Sequence, residues 1–318
     1  MMRSDHADPI PPFPKEALRH ALVESLPEND QSGATPSKEV GFTYVPPSHA
    51  RALDPNQTLV EGIRGAGKSF WWAALASQPH RDYVASVFPE ARIERNLDIS
   101  QGFGPQLPPS RAPGKDVLTQ LAGIFDPRHI WRAVVATHLD FPDPFPADGK
   151  WQDKARWVSD NPEDYDELFY RADAALAQAG KRHLILFDAL DRLADDWSRI
   201  RPLARALLQL ALDLRASRSI RAKLFVRPDM LEDREILAFP DSSKLTRVSL
   251  SWRRVDLYAL LFQCLGNAPT GGAAFREHGA TVFGLVWDRN ETSGAWILPN
   301  RLRTDEEIQK DLFHAIAG

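Results

Sequence analysis

Cysteine is nearly missing from this chain: Cys264 is the single one among 318 residues. One thiol cannot close an intrachain disulfide, so a disulfide-stapled scaffold is excluded and a reducing, cytoplasmic compartment is expected. Cys264 stands in the apolar run 260–265, where burial in a core is expected rather than reactivity. An excess of one charge sign is missing too. Thirty-nine Lys and Arg against 43 Asp and Glu leave a net charge of −4, which gives no global basic field for nucleic acid or an anionic membrane, although a local patch stays open. Nowhere do about 20 apolar residues run together, as a membrane helix requires, so no membrane partner is expected. The most apolar stretch, 203–214, is broken by Arg205 and Gln209. Pro9, Pro11, Pro12 and Pro14 stand where a secretory leader would carry its apolar segment, so no leader is expected. The nine histidines are scattered without H-E-x-x-H, and no G-x-S-x-G occurs, so neither a structural metal centre nor a serine-hydrolase elbow is expected. Internal repeats and heptads are also missing.

What is present begins with a proline-rich N-terminal arm, 1–43. The first 50 residues hold eight of the 25 prolines and the polar stretch 28–33, so order is expected only in a short helix over 15–25, with Leu18, Ala21 and Leu22 on one face. The body, 44–252, opens with a short buried strand, 58–61, a glycine-rich loop and a helix from Lys68 to about Gln78. Between 80 and 160 the pattern weakens. A strand over 84–88, a helix over 127–139 and loops over 102–113 and 141–150 are expected. Beyond 160 the signals sharpen. Asn161 and Pro162 start a helix whose stripe is Tyr165, Leu168, Phe169, Ala172 and Leu176, and Gly180 closes it. The run 183–187 reads as a strand buried on both faces. A helix with Pro202 near its start follows, then strands 222–226 and 246–250. Strand alternating with helix predicts an α/β fold of three layers around a mainly parallel sheet, and 253–318 reads as a small C-terminal helical region with segments 254–265 and 304–317.

The loop is where chemistry is concentrated. Gly62-Ile63-Arg64-Gly65-Ala66-Gly67-Lys68-Ser69 satisfies G-x-x-x-x-G-K-[ST] between a strand and a helix, the Walker A pattern. Glycines let successive backbone N–H groups approach phosphate without a Cβ clash, and the helix start points its positive end at the same anion. The phosphate-binding set is therefore Gly62, Arg64, Gly65, Ala66, Gly67, Lys68, Ser69 and Phe70. The Lys68 ammonium reaches the outer phosphates, and the Ser69 hydroxyl is placed to ligate Mg²⁺.

A second half is expected about 120 residues later. Leu184 to Phe187 are four apolar residues, and Asp188 follows them at the end of a strand, where open α/β sheets place ligands. Asp188 would hold the metal's shell, as a Walker B Asp does. Asp191, three residues on, either orients an attacking water or serves as a cap or a partner of Arg192. Arg227, at the end of the next strand, either faces the γ-phosphate or pairs with Asp229 or Asp188. Arg199, Arg201, Arg205, Arg215, Arg218 and Arg221 form a basic neighbourhood that is either a solvated face, a finger for a neighbouring subunit or a nucleic-acid contact. The stretch 49–55 either packs near a base or simply leads into the first strand.

Together these residues resemble the STAND and KAP-type P-loop ATPases, relatives of the AAA+ proteins, over roughly 45–255. The resemblance rests on the complete Walker A run, on the extended Asp188-Ala189-Leu190-Asp191 pattern and on a following strand ending in Val226-Arg227. Two positions depart from it: KAP proteins usually pair two adjacent acids where Asp188 is followed by Ala189, and STAND proteins often carry Glu where Arg192 stands. The resemblance implies a P-loop NTPase fold that binds ATP with Mg²⁺ and hydrolyses it, with Lys68, Asp191 and Arg227 as the catalytic groups and Ser69 and Asp188 on the metal. The missing Asn-Lys-x-Asp motif favours ATP over GTP. Such ATPases work as switches or motors, so the resemblance implies a protein partner or self-association; the downstream modules of STAND proteins would lie beyond Gly318 if the chain is one piece of a longer protein. A phosphotransferase, in which a substrate hydroxyl replaces water, and a nucleotide-gated module without turnover stay open.

Overall fold

The computed structural model describes residues 13–25 and 40–317. The expected arm falls partly outside them: the prolines of its first 12 residues and the polar stretch 28–33 lie outside the described residues. In chain order the elements are α1 (Lys15–Ser25), α2 (Pro47–Leu53), β1 (Leu59–Glu61), α3 (Lys68–Ala76), α4 (Gln78–Val87), β2 (Leu97–Phe103) and α5 (Lys115–Ala122). Then come α6 (Pro127–His138), α7 (Trp151–Asp160), α8 (Pro162–Gln178), β3 (Arg182–Phe187), α9 (Trp197–Asp213), β4 (Ile220–Val226), α10 (Pro228–Glu232) and β5 (Arg247–Ser249). The remainder is α11 (Arg254–Asn267), α12 (Gly272–Phe283), β6 (Asp288–Arg289), β7 (Trp296–Ile297), α13 (Asn300–Thr304) and α14 (Glu306–Ala317). They divide into two units: 47–251, and a second that gathers 13–25, 40–46 and 252–317.

The larger unit is an α/β structure around a five-stranded sheet, order β2-β3-β4-β1-β5, with every neighbouring pair parallel. Parallel strands need crossover connections and cover on both faces, which explains why 184–187 is continuously apolar and wholly buried. Ile185, Phe187, Leu224 and Val226 join one core cluster with Trp131 of α6 and Leu203 and Leu207 of α9. Trp131 meets Phe103 and Phe187 edge-on at centroid distances of 6.0 and 5.9 Å, and its indole N–H donates to the Leu203 carbonyl at 2.8 Å. Next along β4 is Lys223, 0% exposed, whose ammonium donates to the carbonyls of Ala52, Asp54 and Gln57 at 2.6, 3.0 and 2.7 Å. Three donors meet three acceptors, so this buried cation ties the α2–β1 connection to the sheet.

Gly102 on β2 is needed for close approach. A Cβ there would lie 2.7 Å from the Phe187 ring and 2.8 Å from Ile185 Cγ2. Gly102→Ala should therefore destabilise the unit by about 1–3 kcal/mol, the usual cost of overpacking. Thermal unfolding checks this, and an unchanged midpoint would mean that β2 shifts freely.

Several local expectations are corrected. Residues 84–88 are not a strand: they belong to α4 and the turn after it, because Pro79 opens a helix whose buried positions His80, Tyr83 and Val84 recur at helical spacing. The loop expected from 102 begins later, since Gly102 and Phe103 complete β2. Helix α9 starts before Pro202, at Trp197, where the Asp196 carboxylate accepts the Arg199 N–H at 3.1 Å. The stretch 49–55, which leads into the first strand, is largely helical, since residues 47–53 form α2.

In the smaller unit, α11 packs against α1, α12, α13 and α14. The helix expected over 15–25 is there, with Leu18 and Ala21 buried. Tyr258, Phe262 and Phe275 pack ring against ring. The Gln263 amide donates to the Gly41 and Trp296 carbonyls and accepts the Leu298 N–H, fixing the β6–β7 ribbon that the helical expectation did not include. The segment expected over 304–317 is α14, which begins just after Asp305 and is preceded by the short α13. Burial pushes the Cys264 thiol up to about 12, so it stays protonated at neutral pH.

Candidate functional site

Strand β1 ends at Glu61, and the backbone immediately leaves the sheet as a loop. The Gly62 N–H donates to the Val226 carbonyl at 3.1 Å, and the Leu250 N–H donates to the Glu61 carbonyl at 2.7 Å, so the loop springs from between β4 and β5. A turn closes from the Ala66 N–H to the Ile63 carbonyl at 3.2 Å. Gly65 and Gly67 take φ of 86° and 99°, the left-handed region that side chains disfavour. Gly67 is also the N-cap of α3, its carbonyl accepting the Trp71 N–H at 3.0 Å. The first-turn N–H groups of α3, at Lys68, Ser69 and Phe70, have no intrahelical acceptor and point back toward the loop. A Cβ on Gly65 would meet nothing within 4 Å, so the loop leaves open space over its backbone. Arg64 and Ile63 are exposed at the tip, while Trp71 and Trp72 are buried in the base of α3.

The Lys68 ammonium folds back onto the loop, donating to the Gly62 carbonyl at 2.6 Å and the Ile63 carbonyl at 3.0 Å. Beside it, the Ser69 hydroxyl donates to Asp188 Oδ2 at 2.6 Å, across 119 residues of sequence. Asp188 leaves β3 at its C-terminal end and is 2% exposed. Burial pushes its carboxyl up from the ordinary range. The Ser69 hydroxyl, the Ala189 N–H and the Lys68 charge oppose that push, and Asp191 adds to it. Burial likewise lowers Lys68, against the attraction of Asp188 and Asp191. Ala189 adopts φ 56°, a costly conformation for a residue with a side chain, and this turns the chain sharply after Asp188.

Asp191 lies on a short 3-10 turn, 190–192. Its ion pair is with Arg227, at 3.4 Å. Arg227 is the residue after β4 and also grips Asp229 with two bonds of 3.0 Å. Of the alternatives for Arg227, pairing with Asp229 is therefore realised, and Asp191 shares the same guanidinium. Lys68, Ser69, Asp188, Asp191 and Arg227 thus converge from three separate strand ends.

The basic neighbourhood looks different. Arg199 pairs with Asp196 at 3.5 Å and Arg201 with Asp233 at 2.8 Å; Arg205 donates to the Glu235 carbonyl, and Arg215 to that of Lys244. Arg221 donates to the carbonyls of Leu214, Ser217 and Ile220. These guanidiniums are engaged by their own chain. His49, in the stretch considered for a base, is 0% exposed and accepts the Trp71 indole N–H at 2.9 Å. Among the described residues no helix is long and apolar enough to cross a membrane, and no group of three His, Cys, Asp or Glu is placed to hold a metal ion.

No family model matches the chain, and no curated protein matches it.

Proposed function

We propose that the 47–251 unit is an ATP-binding, ATP-hydrolysing P-loop NTPase module that acts as a switch or motor for a protein partner. The observation that carries this reading is the 2.6 Å contact between Ser69 and Asp188, which joins the helix after the glycine loop to the end of β3. The donor set suits magnesium: a hydroxyl and a carboxylate, both hard oxygen ligands, in touching range. The chemistry of Asp188 suits it too, because a buried carboxylate with a raised pKa gains most from a neighbouring cation. Ser69 and Asp188 would hold the metal, which when bound would supply positive charge to neutralise the outer phosphates.

The remaining work belongs to the chain. The loop amides and the start of α3 hold the phosphate oxygens, and Lys68 turns from its two carbonyls toward them. Asp191 Oδ2 accepts a proton from water at the edge of the loop. Arg227, shared between Asp191 and Asp229, offers positive charge to the phosphoryl group in flight. The parallel sheet supports this assignment, since it brings the C-terminal ends of β1, β3 and β4 to one edge.

Phosphate release from ATP tests the reading. Turnover should require Mg²⁺, fall in EDTA and favour ATP over GTP, with free phosphate as product. Transfer to an added hydroxyl compound would instead favour a phosphotransferase. Arg227→Gln separates catalysis from structure. Its pairs with Asp191 and Asp229 are 43, 31 and 47% exposed, so their loss should cost less than about 1 kcal/mol. Turnover per folded molecule should nevertheless fall by about tenfold or more. Unchanged turnover would leave Arg227 a surface tie only.

A further inference from the structure

A cavity of about 380 Å³ opens in the 47–251 unit beside strand β2, with Ile99, Ser100, Arg111, His138, Asp140 and His183 among its walls. It is separate from the glycine loop: His183 precedes Asp188 by five residues on the same strand, roughly 16 Å at the usual rise. His138 closes the end of α6 and is 4% exposed, yet neither ring nitrogen has a hydrogen-bond partner of acceptable geometry. The Arg111 backbone makes a weak contact with the ring, and that contact favours its protonated form. Buried polar atoms in folded proteins are almost always satisfied, so an imidazole left like this at a cavity wall points to a ligand.

The neighbouring groups define that ligand's charge. Arg111 stands at the rim, 55% exposed, and reaches the Asp140 carboxylate only at 3.9 Å, while Asp140 itself is 86% exposed and adopts φ 49°. From α7, Lys154 is 2% exposed, with Nζ 3.3 Å from Thr137 Oγ1 and 4.6 Å from the Trp151 ring centre. His183 Nε2 is 2.8 Å from Ser100 Oγ, and Asp98 and Asp140 act on its ring. Burial, joined by the charges of His183, Arg111 and Lys154, holds His138 down to about 4, so it is a neutral ring at neutral pH. Arg111 and Lys154 each have an acid of their own, Asp140 and Asp148, but the Asp140 carboxylate is loosely held and solvated, so an incoming carboxylate can take its place on Arg111. Arg111 presents a planar fork, and its 3.9 Å contact with Asp140 is easily exchanged for a closer one.

We infer that this cavity binds a small organic carboxylate, whose oxygens take the Arg111 guanidinium and the His138 N–H and whose body lies against Ile99. The volume sits at the lower end of the range for small-molecule sites, which are about 300–1,000 Å³. The inference does not rest on nucleotide binding, and the test keeps the two apart.

Full-length Lys68→Ala protein, without nucleotide, is titrated with benzoate, hexanoate and lactate, and with phenyl phosphate as a dianionic comparison. Calorimetry and the His138 ring signals in NMR are the readouts. At least one carboxylate should bind at a single saturable site, more tightly than phenyl phosphate, and the affinity should drop by about tenfold or more in Arg111→Met. At saturation the His138 titration should move upward by about one unit, because the bound anion favours the imidazolium. Arg111 lies at the exposed rim, so its variant should remain folded, and Ser100→Ala gives an independent variant of the same wall. Binding by none of the three carboxylates, equal affinity in Arg111→Met, or a His138 titration that does not move would each overturn the inference.

Discussion

Lys68→Ala should weaken Mg·ATP binding by about 100-fold or more, the scale expected when a charge-assisted phosphate contact is lost from an anion site. The fold should survive. Among the described residues Lys68 Nζ bonds to the Gly62 and Ile63 carbonyls alone, both in the glycine loop, and it is not part of the core of Trp131, Phe187 and Leu203. Removing an ammonium that burial already disfavours relieves a desolvation cost, which offsets the two lost bonds. The thermal midpoint without nucleotide should therefore stay within about two degrees of the parent, while the stabilisation given by added Mg·ATP disappears, because only a ligand that binds the native state raises the midpoint. Calorimetric titration and thermal unfolding on the same preparation check both halves. Undiminished affinity in a folded Lys68→Ala protein would remove the phosphate-binding role from this loop.

The two carboxylates should separate. Asp188→Asn keeps the shape and retains an oxygen for the Ser69 hydroxyl but removes the charge that suits a divalent cation. Mg²⁺-dependent affinity and turnover should fall together. Asp191→Asn should leave Mg·ATP bound and slow hydrolysis by about 10²–10⁴-fold, the usual contribution of a positioned proton acceptor. The structure sharpens the contrast. Asp188 is buried at the end of β3 against Ser69, whereas Asp191 is partly exposed and pairs with Arg227 at 3.4 Å, not with Arg192. A merely structural Asp191 would give a different result: a small loss of stability, within the about 0–1 kcal/mol typical of exposed pairs, and unchanged turnover per folded molecule. Single-turnover kinetics beside equilibrium binding distinguishes the outcomes.

Contiguity decided what could be read in the chain. The glycine loop lies within eight consecutive residues whose glycines, lysine and serine are demanded by backbone geometry or charge, so its strand–loop–helix setting was legible. Strand β3 was legible because burial on both faces makes it apolar throughout. Strand β2 was not. It pairs only on one side, Asp98, Ser100 and Gln101 interrupt its apolar character, and Gly102 reads as a turn residue until the Phe187 ring beside it is known. Helix α4 was misread because the β-branched Val84 and Val87 suggest a strand, while the burial of His80, Tyr83 and Val84 on one face is a tertiary fact. Helix α12 hides behind Gly271, Gly272 and Gly279, poor helix formers; Gly271 and Gly272 pass close to neighbouring backbone. The cavity around His138 was invisible for the plainest reason: its walls come from stretches as far apart as 76 and 183 in sequence.

Whether the glycine loop holds the triphosphate, as claimed, is seen most directly in a crystal structure with Mg²⁺ and a non-hydrolysable ATP analogue. The claim predicts phosphate oxygens within hydrogen-bonding distance of Lys68 Nζ and the amides of 65–69. It also predicts that Ser69 Oγ and Asp188 Oδ2, now 2.6 Å apart, part to make room for a cation between them. A nucleotide bound elsewhere on the protein, with Lys68 still on the Gly62 and Ile63 carbonyls and Ser69 still on Asp188, would contradict it.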